Sequence, residues 1–267
     1  METEEAFYIF MSFVKTEIRD RIGYVILDRP EKRNALNSAF VNELKAIIRS
    51  FENTTDIRAI VLKSSGEVFC AGADLEYLQQ LQKNNFEENL TDSQGLAELY
   101  KLIYSFPIPV ISIVKGPAIA GGCGLATVCD LCFATPDSTF GYTEVRIGFI
   151  PAIVMVFLKK KLGEAHSKKL LFTGEVYNAS KVLEYGLITQ IMETDSIEND
   201  VHQFVVKMIS GSSSNSLKMI KEMYSEIDNM SLEEAIKYAS YMNATARETK
   251  DCKRGIAAFL NKEKITW

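Results

Sequence analysis

The chain has 267 residues, of which 47% are hydrophobic and 24% charged, enough apolar material to bury a core without disulfides or metals. Its net charge is −5 and its pI is near 5.3, which argues against a general binder of phosphate backbones. Only local basic clusters, Lys32-Arg33 and Lys159-Lys160-Lys161, suit a single small polyanion.

From the N-terminus, the apolar patch Phe7 to Phe13 follows acidic residues and lacks the basic start and the length of a signal peptide. Residues 1–10 read as an extension, with Met11 as an alternative start. No segment approaches a membrane span, so the expectation is a cytoplasmic protein without membrane contact. Residues 14–28 alternate and predict a strand pair turning near Asp20 to Gly23, stopped by Arg29-Pro30. Asn37-Ser38 is positioned to cap a helix whose apolar residues fall at Val41, Leu44, Ile47, Ile48 and Phe51. Arg58 to Leu62 predicts a strand. Residues 80–95 are polar and Asn-rich and read as a loop or loose helix, with a helix over Leu96 to Ser105. Pro109 to Val114 and Cys129 to Ala134 predict further strands. Strands alternate with helices to about residue 205, an α/β pattern with crossover connections. Beyond it the chain turns helical. Ser231-Leu-Glu-Glu234 is a capping box, and Ala235, Ile236, Ala239, Met242 and Ala246 share one face behind it. The expected division is a core over 1–205 and a helical region over 206–267 for packing on another subunit.

The five cysteines are odd in number, and Cys129 and Cys132 stand in an apolar run, which reads as buried reduced thiols. Their spacing suits zinc or redox chemistry, but no second Cys/His pair accompanies them. The two histidines, His166 and His202, lie in polar helical surroundings. No metal and no cofactor is expected.

Three segments point to chemistry. In Phe69-Cys70-Ala71-Gly72-Ala73-Asp74-Leu75 the small residues let backbone approach a ligand, and Asp74 is placed to cap the next helix. In Gly116-Pro-Ala-Ile-Ala-Gly121-Gly122-Cys123-Gly124-Leu125 a helix begins at glycines, which bares its N–H groups. The glycine spacing fits no nucleotide fingerprint. Two such loops converging would hold a thioester oxygen as it becomes an enolate. In Phe140-Gly-Tyr-Thr-Glu144-Val-Arg-Ile-Gly148-Phe-Ile-Pro151 a carboxyl sits among apolar residues. Such a group is raised in pKa and becomes an acid or base; the plainer reading is a salt bridge to Arg146 or Lys159.

Together, in this order, the segments resemble the crotonase (enoyl-CoA hydratase/isomerase) superfamily from about residue 13 to the C-terminus. The opening Arg29-Pro-Glu-Lys-Arg-Asn34-Ala-Leu-Asn37 and the closing Gly255-Ile-Ala-Ala-Phe259-Leu-Asn-Lys262 belong to the same match. The resemblance implies a spiral of ββα turns with a C-terminal helical region, assembled as a homotrimer or homohexamer. It implies an oxyanion hole from Ala73 and Gly121, and Glu144 as proton carrier. Coenzyme A would lie along Lys32, Arg33, Ala35, Ala71, Ala73, Asp74 and Leu75. Phe259 and Lys262 of a neighbouring subunit would meet its adenosine phosphate end.

One departure stands out. Two-carboxylate hydratases of the family carry a glutamate where this chain has Gly124. A single-glutamate site is what Δ3,Δ2-enoyl-CoA isomerases use. The second segment together with Glu144-Val-Arg-Ile-Gly-Phe-Ile-Pro-Ala-Ile153 resembles bacterial 3-methylglutaconyl-CoA hydratases and their isoprenoid-degrading relatives. In that reading Arg146 and Lys159 are candidates for holding a distal carboxylate. A hydratase ranks first, an isomerase second and a decarboxylase of a glutaconyl-type thioester third. A member that binds acyl-CoA or RNA without turnover is the non-enzymatic alternative, and the acidic charge disfavours RNA.

Overall fold

A computed structural model describes residues 12–54 and 56–267; the extension expected over residues 1–10 lies outside them. The main sheet has six strands: β1 (Val14–Arg19), β2 (Ile22–Leu27), β3 (Ala59–Ser64), β4 (Val110–Val114), β6 (Leu131–Ala134) and β9 (Gln190–Ile191), in the order β1-β2-β3-β4-β6-β9. β1 and β2 form the expected antiparallel pair, and the remaining neighbours run parallel. A smaller sheet joins β5 (Pro117–Ile119), β7 (Thr139–Gly141) and β8 (Val176–Asn178) in the order β5-β7-β8.

The helices are α1 (Ser38–Ser50), α2 (Leu75–Leu81), α3 (Phe86–Tyr104), α4 (Gly121–Val128), α5 (Ala152–Thr173), α6 (Ala179–Tyr185), α7 (Ile197–Gly211), α8 (Ser214–Ile227), α9 (Leu232–Glu248) and α10 (Lys250–Leu260). The connectivity yields the spiral. β4 lies in the large sheet, β5 in the small one, and α4 follows. β6, β7 and α5 repeat the step. β3 makes an earlier version, in which the loop after it joins the small sheet through a Cys70–Ala118 bridge.

The large sheet is covered on both faces, as its parallel strands require. Alternate residues point to opposite sides. Ile60, Leu62, Val110 and Val114 face a core shared with Leu44, Tyr100 and Leu125. Ala59, Val61, Ile111 and Phe133 meet Ile197, Val201, Val205 and Ile209 of α7. That contact makes α7 (Ile197–Gly211), the helix in which the boundary expected at 205 falls, part of the core.

Several local expectations need correction. Residues 80–95, read as a loop or loose helix, are the end of α2, a turn over 82–85 and the first half of α3. Asn85 and Glu88 form a reciprocal capping box there. Only Leu99, Tyr100 and Ile103 of α3 are buried, so its first half carries no apolar period to read. His202 lies in a helix, as expected, but is buried, with its polar partners on the strand pair. Its Nδ1 is 2.7 Å from the Tyr24 hydroxyl and its Nε2 3.1 Å from Asp20. The strand expected at Cys129 begins at Leu131. Asn37 does cap α1 by accepting from the Phe40 N–H, and the Ser231–Glu234 box caps α9.

Candidate active site

The loop after β3 is held from two sides. The Cys70 N–H donates to Pro117 O, and the Ile119 N–H donates back to Cys70 O. On the other side Ala71 N–H donates to Arg33 O, Leu36 N–H to Gly72 O, and Asp74 N–H to Leu36 O. The Ala73 N–H is left without an acceptor among the described residues. Ala73 is exposed, so that donor faces outward.

Asp74 caps α2 by accepting from the Glu76 N–H at 2.9 Å. Its other carboxylate oxygen pairs with Arg29 at 2.7 Å. Burial alone would raise this carboxyl; the Arg29 bond and the helix N–H groups outweigh it and hold the pKa below 3.8. Both carboxylate oxygens are thus engaged within the protein. Asp74 positions the loop rather than offering a free polar group to coenzyme A. Its partner Arg29 shows itself in the sequence only as part of a strand stop.

The start of α4 meets this loop at van der Waals distance. Gly72 has φ +91, and a Cβ there would stand 2.9 Å from Ala120 Cβ and 3.6 Å from Gly121 N. Gly122 packs still closer: a Cβ would fall 2.2 Å from Cys70 O. These glycines are needed for close approach, not for flexibility. As the first residue of α4, Gly121 has no intrahelical acceptor for its N–H, and none is found elsewhere among the described residues. The two free donors, Ala73 and Gly121, therefore belong to loops in direct contact.

Glu144 opens a 3-10 turn over Glu144–Ile147. Among the described residues it makes no salt bridge with Arg146 or Lys159. One of its carboxylate oxygens, Oε2, is buried there without a hydrogen-bond partner. Burial pushes its pKa above 4.5, offset only in part by a backbone N–H. The buried thiols of Cys70 and Cys123 are pushed up to about 12, so neither is a nucleophile at neutral pH.

Gly124 has no room for a side chain. A Cβ there would lie 2.4 Å from Val154 Cγ1 and 2.7 Å from the Tyr100 hydroxyl. The position that holds a glutamate in two-carboxylate sites is filled from outside by these two side chains. Neither is evident in the sequence, because Leu96, Leu99, Tyr100 and Ile103 read simply as a helix's apolar stripe.

The remaining expected contacts are spread around the loops. Lys32 pairs with Glu76 at 2.7 Å and Arg33 is exposed. Ala35 is buried beside Leu36, while Leu75 is 77% exposed on the first turn of α2. Phe259 is 82% exposed and Lys262 is exposed beyond α10. The Lys159 to Lys161 cluster does not act as one patch. Lys160 pairs with Asp228 at 2.7 Å, and Lys161 caps the end of α4 by donating to Thr127 O and Cys129 O. Arg146 lies against Gly174, its Nε 3.4 Å from where a Cβ would stand. No three His, Cys, Asp or Glu side chains gather into a metal-ligand group, and no helix is long and apolar enough to cross a membrane, among the described residues.

A spiral of ββα turns in which the loop after β3 packs on the start of α4, itself bonded through Ala120 to the β7 segment that leads to Glu144, is the architecture of the crotonase fold. The sequence model of the Enoyl-CoA hydratase/isomerase family matches residues 17–267. The chain belongs to that family. A Thermus thermophilus protein named "Putative enoyl-CoA hydratase" is 35% identical over 91% of this chain and 96% of its own length. The solved enoyl-CoA hydratase of Shewanella pealeana superposes with a TM-score of 0.91 at 27% identity, over 97% of each chain. Human enoyl-CoA hydratase domain-containing protein 3 superposes at 0.89, with 26% identity over 96% of this chain and 100% of its own.

Proposed function

We propose that this protein hydrates an enoyl-CoA, with Glu144 as the only carboxyl that handles protons. The observation that supports the proposal is the contact of the Gly72 and Ala120-Gly121 backbones, in loops whose Ala73 and Gly121 N–H groups lack acceptors among the described residues, together with the unpaired Oε2 of Glu144. The thioester oxygen accepts from the Ala73 and Gly121 N–H groups. As water adds to the β-carbon, the electron pair of the double bond moves through the α-carbon to that oxygen. Glu144 takes the proton from water and returns a proton to the α-carbon. The raised pKa suits a group that must both accept and donate.

In this reading coenzyme A runs along Lys32, Arg33, Ala35, Ala71 and Leu75, with Asp74 and Arg29 fixing the Ala73 loop from behind. Phe259 and Lys262 of a neighbouring subunit, in a homotrimer or homohexamer, reach the adenosine phosphate end. Their exposure leaves them free to do so. The substrate proposed first is a 3-methylglutaconyl-CoA-like thioester, on the motif resemblance around Glu144.

The filled space at Gly124 favours a second reading. With one carboxyl, moving a single proton between two carbons is the simpler task, which is Δ3,Δ2 isomerisation. A spectrophotometric assay of 3-methylglutaconyl-CoA, crotonyl-CoA and trans-3-hexenoyl-CoA, with product masses, separates them. A product heavier by one water from the first supports the carboxylated-substrate hydratase. An isobaric product from the third alone makes the enzyme an isomerase.

A further inference from the structure

The backbone that presents the Gly121 donor is strained. Ala120 has φ 50 and ψ −123, a conformation that glycine adopts freely and an L-residue avoids. Such strain persists only where neighbours over-determine it. One restraint is visible on the N-terminal side: the Ala120 N–H donates to Gly141 O of β7 at 2.7 Å. The other comes from Tyr100 on α3. Its hydroxyl donates to Gly121 O at 2.7 Å.

Tyr100 is fully buried, and its ring is held edge-on against Phe157 of α5 at 6.2 Å between centroids. Its oxygen would lie 3.2 Å from a Cβ at Gly121 and 2.7 Å from one at Gly124. The phenol therefore sits in the hollow behind the first turn of α4, between Gly121 and Gly124. It cannot reach substrate from there.

We infer that Tyr100 is a positioning residue: its phenol pins Gly121 O and, opposite the Gly141 bond, keeps the strained Ala120–Gly121 peptide aimed as an oxyanion donor. The same hydroxyl, with Val154, fills the space at position 124. The first bond of α4, from the Gly124 N–H to Ala120 O at 3.0 Å, also holds the Ala120–Gly121 peptide; without the phenol that bond alone would fix the turn on its helical side, and the Gly121 N–H would be aimed less firmly. The inference rests on the proposed role of Gly121 and adds the group that enforces it.

The test is Tyr100→Phe, which keeps the ring and deletes one hydroxyl. The probe is butyryl-CoA labelled with carbon-13 at the carbonyl, whose NMR signal moves downfield when an oxyanion hole polarises it. The expected result is a wild-type displacement that falls by about half or more in the variant, with kcat on the best enoyl-CoA lowered roughly tenfold and KM changed less than about threefold. A purely structural phenol would lower the melting temperature and leave the carbonyl signal of the folded protein in place. A variant with wild-type displacement and kcat within about twofold overturns the inference. A wild type that binds the probe with no displacement overturns the oxyanion reading itself, and the wild-type spectrum tells the two failures apart. If Tyr100→Phe does not fold, Gly124→Ala made together with Val154→Ala serves instead. The new methyl then presses only on the phenol, and an unchanged displacement in that protein counts against the inference as well.

Discussion

The two walls of the site are built on opposite principles. The start of α4 is packed to the limit: Gly122 meets Cys70, Gly124 meets Val154 and Tyr100, and Gly72 meets Ala120. The segment carrying Glu144 is open. Ile147, Phe149 and Ile150 are exposed by 61% or more, and a Cβ at Gly148 would meet no described atom within 4 Å. The difference follows from the task of each wall. Backbone donors gain from being fixed before charge develops, whereas a proton carrier must meet substrate and water.

The comparison can be broken most sharply at its functional end. Glu144→Gln is expected to lower turnover about 10²- to 10⁴-fold, read by the thioester assay, while the protein stays folded. Near-normal turnover would remove Glu144 as the proton carrier. On the tight wall, Gly122→Ala is expected to cost about 3 kcal/mol or more, because its methyl would meet backbone rather than a movable side chain. Urea unfolding measures this, and a near-neutral result would mean that the wall yields.

Behind that wall, Asp74→Asn should cost about 2–3 kcal/mol by leaving Arg29 without its carboxylate in a largely buried place. The two carboxyls also differ in the sign of their pH dependence. The Asp74 pKa lies below its ordinary 3.8, so its contribution is complete above that value. It is lost as pH falls through the folded pKa, and wild type and Asp74→Asn then converge. The Glu144 pKa lies above its ordinary 4.5, so the native state binds more protons than the unfolded one just above 4.5. Stability is lost as pH rises through that window. Glu144→Gln should therefore gain on wild type as pH rises, and unfolding curves from acid to neutral pH test both signs. On the open wall, Ile147→Ser should change stability by less than about 0.5 kcal/mol. A loss several times larger would show that another surface covers this segment.

Much of the site was legible in order along the chain. Ala73, Gly121 and Glu144 lie in segments whose small or apolar residues limit what they can do, and the structure brings these three segments to one place. Asn37 and Ser231 announced their helices because a cap is a local bond between near neighbours. The first half of α3 was illegible because its signal is a capping box followed by polar residues with no buried face. His202 misled for the opposite reason: its helix is polar on one side, and the side that carries it is covered by β2.

By itself the sequence determined β1 to β4 and most of β6, the starts of α1, α2, α4 and α9, and the identity of the three loops, since these depend on periodicity, on capping and on where a side chain is missing. The tertiary structure alone decided that Asp74 is held by Arg29, that the lysines at 159–161 part company, and that Tyr100 and Val154 fill the space left by Gly124. Each of those facts joins residues far apart in the chain, through contacts of a few ångströms that no local pattern encodes.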